Sequence, residues 1–285
     1  VAAGVALGGA LVAALFLPAR APEDAEARRV IERPRRVLIP GLVNAHTHIA
    51  MTVFRGFADD LPLHRWLEER IFPAEAKLDE RGVYLGARLG MLEAIASGTT
   101  GICDAYFKLS SIAEAAKECG IRANLCNMLT WFGEGAAPDT DSAFREAREL
   151  KAAYAGDELI RADAGLHAVY TSNPECWEKV GRFARENGMR LHIHISETRK
   201  ENDDCRARWG ASPVQVLERA GVFEGPVTAA HCVYLSDADR EILRAHDVVA
   251  VHNPTSNCKL SSGIADAAGL EGIPVALGTD GMASN

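Results

Sequence analysis

The feature that most constrains this chain is a repeated beat. Short apolar runs, several ending in histidine, alternate with stretches of helical spacing. The runs lie at 37–46, 99–104, 121–129, 160–167, 189–195, 226–231, 247–252 and 273–280. Between them, 79–97 sets Leu85, Leu89, Leu92 and Ala96 on one face, with Asp79 as cap and Gly98 as stop. Residues 174–187 open at Asn173-Pro174, an N-cap followed by proline at the first helical position, and close at Gly188. Residues 237–245 follow Ser236 and turn Ile242 and Leu243 inward. Strands alternating with helices build right-handed βαβ units and a parallel sheet. Eight such units in about 250 residues close a (β/α)8 barrel. The competing architecture, an open doubly wound sheet, normally carries a Gly-rich phosphate loop after its first strand, and this sequence has none there.

The remaining segments narrow the class. The opening VAAGVALGGALVAALFL is apolar, but it is shorter than the ~20 residues of a spanning helix and no basic segment precedes it. It reads better as a hairpin turning at Gly8-Gly9, followed by a polar connector to Arg36. Lys+Arg number 31 against 39 Asp+Glu, a net charge of -8, which argues against nucleic acid or anionic membrane as the main partner. Seven cysteines, an odd number without a C-x-x-C pair, read as reduced thiols in a cytoplasmic protein. They also exclude the zinc deaminases that hold metal through a P-C-x-x-C run.

In a (β/α)8 barrel the active site gathers at the carboxyl ends of the strands. Seven of the nine histidines stand at such ends: His46, His48, His167, His192, His194, His231 and His252. His46 and His48 are two apart on a strand, so both side chains project to one face and can share an ion. His194, nearer the rim than His192, is the better third nitrogen, while His192 lies a layer deeper as a packed or supporting group. Asp280 adds a hard oxygen. Several imidazoles with one carboxylate and no thiolate suit Zn²⁺ or Fe²⁺ rather than Ca²⁺, and three or four protein ligands leave room for an activated water. Glu197, just past the fifth strand, is the general acid/base candidate. His231 is placed to orient water and steady developing charge, and Asp280 to accept a proton. Cys232 follows His231, but alternation turns its thiol away from the metal side. The long segment 49–78 offers Trp66, Phe72 and Glu75 as substrate contacts.

The motifs are recognisable. Pro40-Gly41-Leu42-Val43-Asn44-Ala45-His46-Thr47-His48 resembles the amidohydrolase superfamily signature. Leu191–Thr198 (LHIHISET), Ala230-His231-Cys232, His252–Asn257 (HNPTSN) and Gly278-Thr279-Asp280-Gly281 extend the likeness over about 37–285. The nearest branch looks like the methylthioadenosine/S-adenosylhomocysteine deaminases, with the triazine and ammeline hydrolases beside them. The resemblance implies one divalent metal on His46, His48, His194 and Asp280, with Glu197 as proton shuttle and His231 near the water. It also implies substrate contacts from Glu75 and His167, and a homo-oligomer. Residues 1–36 become part of a small β-sandwich, and 37–285 a barrel lacking its last helix. On that reading the chain is a fragment with an exposed barrel flank. Where that branch carries an arginine near the end of strand 3, this chain has Asn127, which argues against a carboxylate-bearing substrate. The expected reaction is hydrolytic deamination of an exocyclic amine on a purine-nucleoside-like or related N-heterocycle, releasing ammonia. The alternatives are a chlorohydrolase or amide-bond hydrolase on the same scaffold, or an inactive metal-binding protein.

Overall fold

A computed structural model describes residues 35, 37–130 and 140–284. The chain divides into two compact units, Val1–Gly41 and Leu42–Asn285. In the first, residues 37–41 are exposed and belong to no regular element, so the strand expected from 37 begins only at Leu42. The hairpin and sandwich expected over 1–36 lie outside the described residues, Arg35 excepted.

Among the described residues the second unit holds nine strands: β1 (Leu42–His48), β2 (Thr99–Tyr106), β3 (Arg122–Asn127), β4 (Ile160–Leu166), β5 (Leu191–Ile195), β6 (Val227–His231), β7 (Val248–His252), β8 (Val275–Leu277) and β9 (Asp280–Gly281). All pair in parallel, in the order β8-β7-β6-β5-β4-β3-β2-β1-β9. The eighth strand expected over 273–280 is therefore two pieces, one on each neighbour. The Gly278 N–H donates to the His252 carbonyl at 3.0 Å and the Thr279 N–H to the His46 carbonyl at 3.0 Å, so the chain steps from β7 to β1 and closes the ring. Only glycine fits at that step: a Cβ on Gly278 would lie 2.3 Å from Asn253 Oδ1 and 2.8 Å from the His46 carbonyl. The architecture is a (β/α)8 barrel.

The outer helices are α1 (Glu80–Ala96), α2 (Leu109–Cys119), α3 (Thr140–Ala153), α4 (Pro174–Glu186), α5 (Arg199–Trp209), α6 (Pro213–Arg219), α7 (Asp237–Ala245) and α8 (Pro254–Lys259). Their starts follow local side-chain chemistry. Asp79, Asn173, Thr198, Ser212 and Ser236 each accept a hydrogen bond from the third residue onward, satisfying an amide that a helix start leaves free. Apolar side chains such as Trp177, Leu191, Ile193 and Leu217 fill the layer between sheet and helices, each worth ~1.5–3 kcal/mol on burial.

One expected face is wrong. Helix α1 has the expected limits, but Leu85, Leu89 and Leu92 are about half exposed, and the buried side is Val83, Gly86, Ala87, Gly90 and Met91. The helix is pressed against the 3-10 turn Ile49–Phe54 that leaves β1. A Cβ on Gly86 would meet the Ala50 carbonyl at 2.3 Å, and one on Gly90 the Ile49 carbonyl at 2.7 Å. Close backbone approach, which favours the smallest residues, outweighs the leucine stripe here.

Candidate active site

Strand ends β1, β5 and β9 bring one set of donors together. His46, His48, His194 and Asp280 each offer an atom, and all four atoms lie within 4.8 Å of one another. Asp280 Oδ1 is 3.2 Å from both His46 Nε2 and His48 Nε2. Every imidazole has its other nitrogen engaged. His48 Nδ1–H donates to the Ala105 carbonyl, and His194 Nδ1–H to the His167 carbonyl at 2.7 Å. His46 Nδ1 is 2.8 Å from His192 Nε2, and donates there once its own Nε2 serves as a lone pair. These bonds fix ring orientation and leave three Nε2 atoms facing one carboxylate oxygen, the donor set a divalent ion takes. Burial lowers His46 to about 4 and His194 well below its ordinary range, so both are neutral, as a metal requires. At His48 burial is outweighed by Asp280, and the group rises to about 9. Burial pushes Asp280 up, but its bonds with His46 and His48 prevail and hold its carboxyl well below the usual range. The other oxygen, Oδ2, accepts from Ser256 Oγ at 2.6 Å and Ser284 Oγ at 3.1 Å. The donor set fits a divalent cation, which would take the place of the proton that His48 shares with Asp280.

Opposite this cluster stand Glu197 and His231, both buried. Glu197 Oε1 accepts from Ser262 Oγ at 2.9 Å and lies 3.9 Å from His231 Nδ1. Burial raises the Glu197 pKa, the direction a proton carrier near neutrality needs. The helix cap beside it is Thr198, so Glu197 is not spent on capping. His231 Nδ1–H donates to Asn257 Oδ1 at 2.8 Å, which fixes the ring's orientation. Ser196, His231, Cys232 and Asp280 all have positive φ, from 49° to 76°. Four non-glycine residues in that region on one rim mark backbone held in costly shapes to aim side chains. The Cys232 thiol donates to the Ala229 carbonyl, and burial pushes it up to about 12, so it is no nucleophile.

A solvent-open cleft of about 200 Å³ is lined by His48, His194, Glu197, His231 and Asp280. Trp66, Glu75 and His167 all line it. Trp66 and Glu75 come from a helical stretch of three pieces, Leu63–Trp66, Leu67–Ile71 and Phe72–Glu75. Glu75 Oε1 accepts from Tyr106 Oη at 2.7 Å, and burial raises its pKa. His167 Nδ1 bonds Thr171 Oγ1 at 2.9 Å, and burial lowers the ring to about 3. Asn127 donates to Glu146 on α3 and is not among the residues lining the cleft. His252 does not join the cluster; its Nδ1 is buried without a hydrogen-bond partner. Sequence reasoning missed Tyr106, the Asp280 serines, Ser262 and Asn257. Asn257 and Ser256 stood in a noted motif, but nothing in spacing assigned them a partner across the barrel.

Comparisons with known proteins agree with this geometry. The sequence pattern of the amidohydrolase family matches residues 37–285. A 5-methylthioadenosine/S-adenosylhomocysteine deaminase of Pelotomaculum thermopropionicum is 44% identical over 283 residues, 99% of this chain and 65% of that protein. A 5'-deoxyadenosine deaminase of Methanothermobacter thermautotrophicus is 42% identical over 271 residues, 93% of this chain and 62% of that protein. An adenosine deaminase of Xanthomonas campestris, solved with bound zinc, superposes with a TM-score of 0.81 at 38% identity, covering 86% of this chain and 57% of that one. The chain spans 60–65% of the length of these curated relatives. Motifs in order, barrel and donor cluster converge: the chain belongs to the amidohydrolase family.

Proposed function

We propose that this chain carries the active site of a metal-dependent aminohydrolase acting on a purine-nucleoside-like N-heterocycle. The observation that carries the reading is the four-donor cluster beside the buried Glu197 in one cleft. His46, His48, His194 and Asp280 would hold the ion, with Zn²⁺ favoured by the zinc-bound relative and Fe²⁺ compatible with the same donors. When bound, such an ion supplies Lewis-acid activation of water.

The residues then divide the proton work. Water adds to the ring carbon bearing the amine, and Asp280 takes up the water's proton. Glu197 donates to the ring nitrogen beside that carbon. The proton on Asp280 passes to the amino group, the hydroxyl proton of the adduct returns to Glu197 as the C–N bond breaks, ammonia leaves and the ring keeps a carbonyl oxygen. His231, held by its bond to Asn257, orients the incoming water. Glu75 and His167, lining the same cleft, hold the rest of the substrate, with Trp66 as an apolar wall. The net charge of -8 and the free thiols support a cytoplasmic enzyme with a small heterocycle as partner, rather than nucleic acid. Among the described residues no helix is long and apolar enough to cross a membrane.

The test is a screen for ammonia and chloride release over adenine nucleosides, guanine, aminotriazines and chlorotriazines, with and without added Zn²⁺. The reading expects metal-dependent ammonia release, strongest with an adenine nucleoside. Chloride release alone, or stoichiometric metal binding with no turnover, would contradict it.

A further inference from the structure

The peptide joining Ser196 to Glu197 is held at both ends. Its carbonyl accepts from the Val233 N–H at 3.1 Å and the Tyr234 N–H at 2.9 Å, on the loop that leaves β6 just after His231. Its N–H, that of Glu197, donates to Glu201 Oε2 at 2.7 Å. One peptide plane thus joins the segment carrying Glu197 to the loop carrying His231. Both segments are bent into left-handed backbone, Ser196 at φ 52° and His231 and Cys232 at φ 76° and 49°. Such shapes are costly and persist only where the surroundings over-determine them.

Glu201 supplies that determination. It stands in the first turn of α5 and is 1% exposed. Its own N–H donates to Thr198 Oγ1 at 3.0 Å, which is the ordinary helix cap. The bond to the Glu197 N–H is a separate contact, one residue before the cap. The two contacts can be broken independently.

We propose that Glu201 is a positioning residue: through the Ser196–Glu197 peptide it sets where the Glu197 carboxyl and the His231 imidazole stand relative to each other. This rests on the reading of Glu197 as proton carrier. The test uses the full chain loaded with Zn²⁺ and the adenine nucleoside it deaminates best. Glu201→Ala lowers kcat about 100-fold with KM nearly unchanged, the cost of a ~1 Å misplacement, and moves the acid side of the kcat/KM pH profile. Glu201→Gln, whose amide oxygen still accepts from the Glu197 N–H, restores kcat to within about threefold. Glu201→Asp, one methylene short, keeps the fold and loses kcat, which decides the matter should the alanine variant not fold. Thr198→Ala lowers Tm while leaving kcat unchanged. Normal kcat in both Glu201→Ala and Glu201→Asp at full zinc loading, or a glutamine variant as impaired as the alanine one, overturns the proposal. Glu197→Gln separates the two levels. If it retains turnover, the role of Glu197 falls and this inference with it; if it is inactive while the Glu201 variants are normal, only the positioning role falls.

Discussion

Two strands of this barrel carry the same His-x-His pattern and use it differently. On β1 both rings, His46 and His48, face Asp280. On β5 only His194 does so, while His192 lies deeper and bonds the back of His46. One residue pair thus becomes two donors on the first strand, and one donor plus a support on the other. Register around the ring, not residue type, decides which role an imidazole takes. Each strand end is also tied by a buried carboxylate: Asp104 accepts from the Ile49 N–H at 2.5 Å, just after His48, and Glu201 accepts from the Glu197 N–H.

The comparison breaks most completely at the donors. His194→Ala or His46→Ala should abolish metal retention and bring ammonia release to background, read by metal analysis of the purified chain. Asp280→Asn should stop turnover while circular dichroism shows an intact barrel; near-normal turnover would remove Asp280 from the mechanism. His192→Phe tests the supporting role. It should retain the four donors yet weaken metal binding by about 10–100-fold, the usual cost of losing a ligand's hydrogen-bond partner. An unchanged affinity would reduce His192 to packing.

Smaller effects separate the two tethers. Burial raises Asp104 to about 7 and Glu201 to about 8, above their unfolded values. A raised folded pKa means that the folded state holds the proton more tightly. Each group's contribution is therefore full below its unfolded pKa near 4 and is lost as pH rises through 7 to 8. Unfolding free energy should fall over that window by up to ~1.4 kcal/mol per pH unit for each group, and Asp104→Asn and Glu201→Gln should each flatten the slope. The smallest effect belongs to β1's backing. Gly90→Ala places a Cβ 2.7 Å from the Ile49 carbonyl and should cost ~1–3 kcal/mol by denaturant melt, with metal binding retained.

The legible part of this molecule was its periodicity. Alternating runs gave the barrel, and side chains at strand ends gave His46, His48, His194, Glu197, His231 and Asp280, because a parallel barrel turns every strand end to one face. What stayed hidden depends on distance across the ring. Ser256 and Ser284 reach Asp280, and Ser262 reaches Glu197, from loops far away in sequence, which no local pattern encodes. The buried face of α1 was misread for a related reason: a leucine stripe marks apolarity, whereas the contact it loses to is a backbone that only Gly86 and Gly90 let approach. The split of the last strand at Gly278 was equally invisible, since β8 and β9 differ only in which neighbour they join.

In the proposed function, one cluster on β1, β5 and β9 holds one ion that the deamination needs. The direct measurement strips the chain with a chelator, titrates Zn²⁺ back, and follows bound metal and ammonia release together. The stripped chain should show no turnover, and activity should return linearly and level off at about one ion per chain. Turnover without metal, or a return that continues to a second equivalent, would contradict it.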